Sequence, residues 1–207
     1  MIEQIAIRGY DKNFSYFIVG DSGKVAIVDP GDVPKLEELA SQNNFVPVAV
    51  LITHSHHDHV EGVKELAERY KLPVYMQEQA KSRVETGNLE VVALKGAEII
   101  ELDGRKIEVI HTPGHIDDAV CYLVDGEALL TGDTLFVEGC GRADFANSNV
   151  GDLWESLEKI RQLKDEVRVY PGHDYGSRPV SSIGWEKAHN KYLLCESFEE
   201  FWRTRMG

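Results

Sequence analysis

The sequence predicts an α/β protein laid out as a four-layer αββα sandwich, with two mixed β-sheets face to face and helices on the outside. Three observations carry this expectation. Apolar, β-branched runs closed by turn residues alternate with amphipathic stretches along the whole chain. The series runs through both halves, each mixing strands and helices. No linker, low-complexity tract or short-period repeat interrupts it, so the 207 residues are expected to form a single domain, 1–207. A short helical tail is expected from about residue 184.

Taken in order, strands are predicted near 2–8, 14–20 and 24–28, the last closed by "DPGD". Asp32 is placed to start a helix over Pro34 to Ser41, where Leu36, Leu39 and Ala40 recur at helical spacing. "VAVLIT" (48–53) is continuously apolar, as a strand covered on both faces should be. An amphipathic helix is expected over 60–71, then a short strand at "PVYM". In the second half, strands are expected at 98–102, 106–110, 119–124 and 127–131. "DLWESLEKIRQLK" (152–164) sets Leu153, Leu157, Ile160 and Leu163 on one helical face. "EVRVYPGHD" supplies a last strand and loop, and "SFEEFWRTR" (197–205) a closing helix.

Composition narrows the function classes. A net charge of −13 argues against a nucleic-acid partner, whose phosphates it would repel. No apolar run approaches a membrane-spanning length, and the start lacks the basic and apolar regions of a signal peptide. A cytoplasmic, membrane-free protein is the expectation. Cys121, Cys140 and Cys195 are odd in number and widely spaced, which predicts free thiols and no thiolate zinc site.

The chemistry concentrates at strand ends. Half of the 8 histidines lie in the six residues from His54 to His59, directly after "VAVLI". His54 and His56 are two apart, so both can face one side of an extended segment, while Asp58 and His59 follow at a turn. Imidazole and carboxylate suit zinc, iron and similar divalent ions, and disfavour calcium and magnesium. Four imidazoles buried at a strand end without a metal would leave several polar groups unpaired. Three further strand ends repeat the grammar of apolar strand, Gly turn and donor: "HTPGH" offers His111 and His115, "TGDTLF" offers Asp133, and "YPGHDYG" offers His173.

In this order, "THSHHDH", "HTPGH", "TGDTLF" and "PGHDYG" resemble the metallo-β-lactamase superfamily, over essentially the whole chain. The branch they resemble is that of glyoxalase II (hydroxyacylglutathione hydrolase) and the persulfide dioxygenases. The resemblance implies the αββα fold and a site for two divalent metal ions, zinc or iron. His54, His56 and His115 would hold one ion, Asp58, His59 and His173 the other, and Asp133 would bridge them. It makes His57 and His111 non-ligands, and His189 is expected to be a surface or packing residue. Two ions lower the pKa of a shared water from ~16 towards ~7, making hydroxide available as a nucleophile at neutral pH. Asp58 could orient that hydroxide or accept its proton, and no "GxSxG" nucleophile is present.

The expected activity is therefore hydrolysis of a thioester or related acyl substrate, with a small thiol-derived molecule as partner. The alternative is a persulfide dioxygenase, strongly resembled by "GDTLFVEGCGRADF" and "YPGHDYGSRPVSSIGWEK". The resemblance implies one Fe(II) for that enzyme, on the counterparts of His54, His115 and Asp133. A non-catalytic metal-binding module is remote, because structural zinc sites tend to be closed and Cys-rich. The stretch "IDDAVCY" after His115 departs from the "TxG" usual in those enzymes, and "GCGRADF" departs from the "GCGKFYEG" of glyoxalase II. After "PGHDYG" only about thirty residues follow, without the helical domain that grips glutathione in glyoxalase II, so glutathione is not the expected carrier and a different small thiol or an acyl carrier is the expectation. Arg142 and Tyr175 are the candidate substrate contacts, Arg142 through bidentate pairing with a carboxylate or else through a loop salt bridge. Asp29, at the end of "VAIVD", is expected to support the site or form a turn.

Overall fold

In the computed structural model, residues 1–7 and 11–207 are described. The first sheet has six strands in the order β1 (Ile2–Ala6), β2 (Phe14–Val19), β3 (Lys24–Val28), β4 (Val46–Leu51), β5 (Val74–Gln77), β6 (Val91–Leu94). β1–β2 and β2–β3 pair antiparallel, and the remaining pairs are parallel. α1 (Val33–Gln42) crosses from β3 to β4, α2 (His57–Val60) and α3 (Val63–Tyr70) cross from β4 to β5, and a 3-10 turn at Glu78–Ser82 lies between β5 and β6. The expected strand over 2–8 is described as far as Ala6, and Arg8 lies outside the described residues.

The second sheet takes β7 (Ile99–Leu102), β8 (Arg105–His111), β9 (Val120–Val124), β10 (Ala128–Gly132), β13 (Arg168–Pro171) and β14 (Ser181–Ser182), with β10 and β13 parallel. A small hairpin, β11 (Leu135–Phe136) and β12 (Gly139–Cys140), leaves the end of β10. α4 (Val150–Arg161), α5 (Ile183–His189) and α6 (Phe198–Met206) cover the outer face.

Strand alternation sorts the apolar side chains into three layers. Phe17, Val25, Ile27 and Val50 face outward onto Leu36 of α1 and Leu66 of α3. Their sequence neighbours Tyr16, Ile18, Ala26, Val28 and Leu51 face inward, against Ile107, Val109, Tyr122 and Leu130 of the second sheet. Leu129 and Val169 point the other way, onto Leu153, Leu157 and Ile160 of α4 and Phe201 of α6. Three apolar interfaces make four layers, as expected. No helix among the described residues is long and apolar enough to cross a membrane.

Local rules set the helix ends. The Asp32 side chain accepts from the Lys35 N–H with Pro34 in the first turn, so α1 starts where the sequence places it. Asn149 accepts from the N–H groups of Gly151 and Asp152, starting α4 two residues earlier than the hydrophobic stripe suggests. The helix expected over 60–71 is divided. Gly62 donates to the Pro30 carbonyl, and a Cβ there would overlap that oxygen, so the helix breaks where the chain after β3 crosses it.

Candidate metal centre

The parallel pair β3–β4 ends with Asp29 beside Thr53, and the parallel pair β10–β13 ends with Asp133 beside His173. These two sets of strand ends face each other across one edge of the sandwich, and the loop from β8 brings His115 between them. All seven proposed ligands meet there. His54 Nε2 lies 3.1 Å from His56 Nδ1, which lies 2.9 Å from His115 Nε2. His59 Nε2 and His173 Nε2 are 3.3 Å apart, with Asp58 Oδ2 at 3.6 and 3.5 Å from them. Asp133 stands between the groups. Its Oδ2 is 3.5 Å from His115 and 3.3 Å from His173, and its Oδ1 is 3.4 Å from His59.

The outer nitrogens explain why the inner ones can bind a cation. His115 Nδ1 lies 2.8 Å from the Arg142 carbonyl and His173 Nδ1 2.8 Å from the Asp11 carbonyl. His59 Nδ1 lies 3.0 Å from Asp29 Oδ2. All three partners only accept, so each Nδ1 carries a proton and each ring directs its Nε2 inward. Lone pairs converging on one another repel unless a cation or proton lies among them. Asp133 Oδ1 is buried with no hydrogen-bond partner, an acceptor whose charge a metal ion would meet. The donor set therefore fits divalent metal, and three triads are spaced to hold one: His54/His56/His115, His54/His59/Asp133 and Asp58/His59/His173.

Electrostatics agree with that demand for positive charge. Burial pushes His54 and His56 below the ordinary histidine value, and the neighbouring imidazoles add to it. Burial pulls His59 and His173 the same way, but Asp133 outweighs it and holds both above the ordinary value. Burial would raise Asp133; the surrounding rings, His59 foremost, keep it well below the usual carboxylate range. Asp58 is likewise held down against burial by His59 and by the Asn13 amide, which donates to Oδ2 at 2.8 Å.

The centre floors a cleft of about 750 Å³. Ile116, Phe136 and Phe145 form its apolar wall, and Arg83, Arg142 and Tyr175 reach its rim. Arg142 is engaged within its own loop: Nε and Nη2 donate to the two oxygens of Asp144, at 2.9 and 2.7 Å, and the guanidinium lies over Phe145. The Tyr175 ring stacks 4.6 Å from His173, and its hydroxyl donates to Asp11 at 2.6 Å. His57 belongs to none of the ligand triads. His111 bonds the Asp117 carbonyl, and His189 stacks on Trp185 away from the centre. Asp29 supports the site as expected: it adopts φ +50°, and its carboxylate takes the Thr53 N–H, the Thr53 hydroxyl and His59 together.

Asn13, Asp118 and Arg83 were not singled out by the sequence. The only signal was for Asp118, in the departing stretch "IDDAVCY". All three act on residues dozens of positions away, which no local pattern reports.

Known proteins are similar to this chain in sequence and fold. A probable polyketide biosynthesis zinc-dependent hydrolase, PksB of Bacillus subtilis, is 33% identical over 198 residues, which is 93% of this chain and 88% of that protein. The crystal structure of ETHE1 from Myxococcus xanthus superposes with a TM-score of 0.89 at 31% identity, over 100% of this chain and 90% of the other. TTHA1623, solved in a di-iron-bound form, gives 0.78 at 30% identity, over 92% and 100%. The family model of the metallo-beta-lactamase superfamily matches residues 8–173, a span that begins near β1 and closes on His173. Fold, strand-end chemistry and this match agree, and the chain belongs to the metallo-beta-lactamase superfamily.

Proposed function

We propose that this protein is a metal-dependent hydrolase of a thioester or related small acyl substrate, with two divalent ions at the strand-end centre. The observation that carries the reading is the set of imidazoles whose outer nitrogens are fixed on acceptors and whose inner nitrogens surround Asp133. His54, His56 and His115 would hold one ion and Asp58, His59 and His173 the other, with Asp133 shared. Bound there, divalent zinc or iron supplies Lewis acidity that activates water and polarises an acyl carbonyl. The relative named a zinc-dependent hydrolase supports this chemistry.

The chain's own residues do the rest. Asn13 fixes Oδ2 of Asp58, a half-buried carboxylate on the cleft floor that is placed to accept the proton lost by the attacking water. Ile116, Phe136 and Phe145 offer the acyl chain an apolar wall and keep bulk water from it. Arg142 and Tyr175 flank the opening for the carrier end of the substrate.

A second reading is an iron-dependent dioxygenase acting on a persulfide. It is supported by His54, His115 and Asp133, which stand together at the centre as a two-imidazole, one-carboxylate set for one iron. One experiment separates them: metal analysis of protein purified without added metal, with thioester cleavage and persulfide-dependent oxygen uptake assayed in parallel. Two zinc-like ions with thioester turnover are expected. One iron with oxygen consumption would overturn the hydrolase.

A further inference from the structure

His54 sits in an irregular segment between β4 and α2, where no strand ladder holds the backbone. Besides the Val120 N–H, which donates to the Thr53 carbonyl at 2.8 Å, two buried carboxylates hold it, one on each side. Before His54, Asp29 takes the Thr53 N–H at 2.7 Å on one oxygen and the Thr53 hydroxyl at 2.6 Å on the other. After it, Asp118 takes the Ser55 N–H at 3.0 Å on one oxygen and the Ser55 hydroxyl at 2.5 Å on the other. The same two-pronged contact occurs twice, at residues 53 and 55, from opposite sheets.

Asp118 is fully buried, so its charge needs a partner. Arg83 supplies one: its Nη1 donates to Asp118 Oδ2 at 2.7 Å while the same guanidinium forks onto Asp117. Arg83 comes from the segment after β5 and also lines the cleft. Ser55 separates two ligands that must converge from one side of an extended backbone, so its rotation would swing both imidazoles.

We propose that Asp118, held by Arg83, is a positioning residue for the His54/His56/His115 triad: by gripping Ser55 at both N–H and Oγ it sets the angle at which His54 and His56 reach a metal ion. Asp118 meets neither ion nor substrate; it acts through Ser55. The inference rests on the metal-centre reading above, and its test reads metal binding without any substrate. Partners of ligands commonly change affinity ten- to a hundredfold when removed.

The experiment titrates cobalt(II) into metal-stripped protein and follows both affinity and the visible absorption that reports ligand geometry. Asp118→Ala is expected to weaken cobalt binding about tenfold or more and to alter the absorption band. Asp118→Asn, which keeps one acceptor for the Ser55 N–H, should lose less. Leu36→Ala, on α1 in the outer core, controls for lost stability and should change neither readout. A folded Asp118→Ala protein that matches the unaltered one in affinity within twofold, with the same spectrum, overturns the proposal. Should Asp118→Ala not fold, Ser55→Ala decides: removal of the hydroxyl arm alone should cost a few-fold in affinity, and no loss overturns the idea. If the unaltered protein takes up no cobalt, the metal-centre reading falls first and this inference with it.

Discussion

His115 reaches the centre on a loop whose course depends on the ring itself, since its Nδ1 is tied to the Arg142 carbonyl and its Nε2 faces His56. Replacing it removes an inner donor and loosens the wall that carries Phe145. His115→Ala is therefore expected to lose most bound metal and activity, whereas His57→Ala, outside every ligand triad, keeps its metal. Element analysis of the two purified variants checks this, and equal loss in both would mean the ligands are misassigned. At this scale the seven donors were legible because four crowd directly behind one apolar strand and the other three each follow an apolar strand and a glycine. Their supports were not. Asn13 is 45 positions from Asp58 and Asp118 is 63 from Ser55, separations at which only the fold decides who meets whom. Arg142 offered two readings from sequence, and the bidentate contact with Asp144 realises the loop salt bridge while leaving the side chain on the cleft rim.

α4 shows how an element far from the chemistry holds it in place. Its N-terminal half backs onto the "HTPGH" loop: Asn149 N–H donates to the Gly114 carbonyl, and Ser156 Oγ donates to the Pro113 carbonyl at 2.7 Å. Gly114 has φ +138° and any Cβ there would collide with the backbone of Leu153, so this contact requires glycine. Deeper along the helix, Leu157 is buried against the second sheet. Leu157→Ala is expected to cost about 2–5 kcal/mol in urea unfolding while leaving metal stoichiometry unchanged. The long periodic elements were read well from sequence. β6, the β11–β12 hairpin and β14 were not, because two- to four-residue elements carry too few periods to stand out. Nor could a pattern show that Gly62 would split a helix, since the obstacle is the Pro30 carbonyl from another strand end.

Across the whole molecule, the donors divide between the sheets. His54, His56, Asp58 and His59 follow the first sheet's β4, and His115, Asp133 and His173 follow strands of the second. Bound ions would thus tie the two layers together and stabilise the native state by mass action. Metal at about a hundred times its dissociation constant is worth about 2.7 kcal/mol. Dialysis against a chelator should accordingly lower the thermal midpoint by several degrees, with recovery on adding zinc. An unchanged midpoint would argue against ions spanning the layers.

The division has a mechanical side. Each sheet is contiguous in the chain, residues 2–94 and then 99–182, and only a four-residue strap at 95–98 passes between them. A slip of one slab along the other would leave spacings within each set of donors intact and spoil those that cross the seam, such as His115 to His56 or His173 to His59. The centre thus works as a vernier on the molecule's assembly: alignment of the two slabs and competence of the site are read on the same scale.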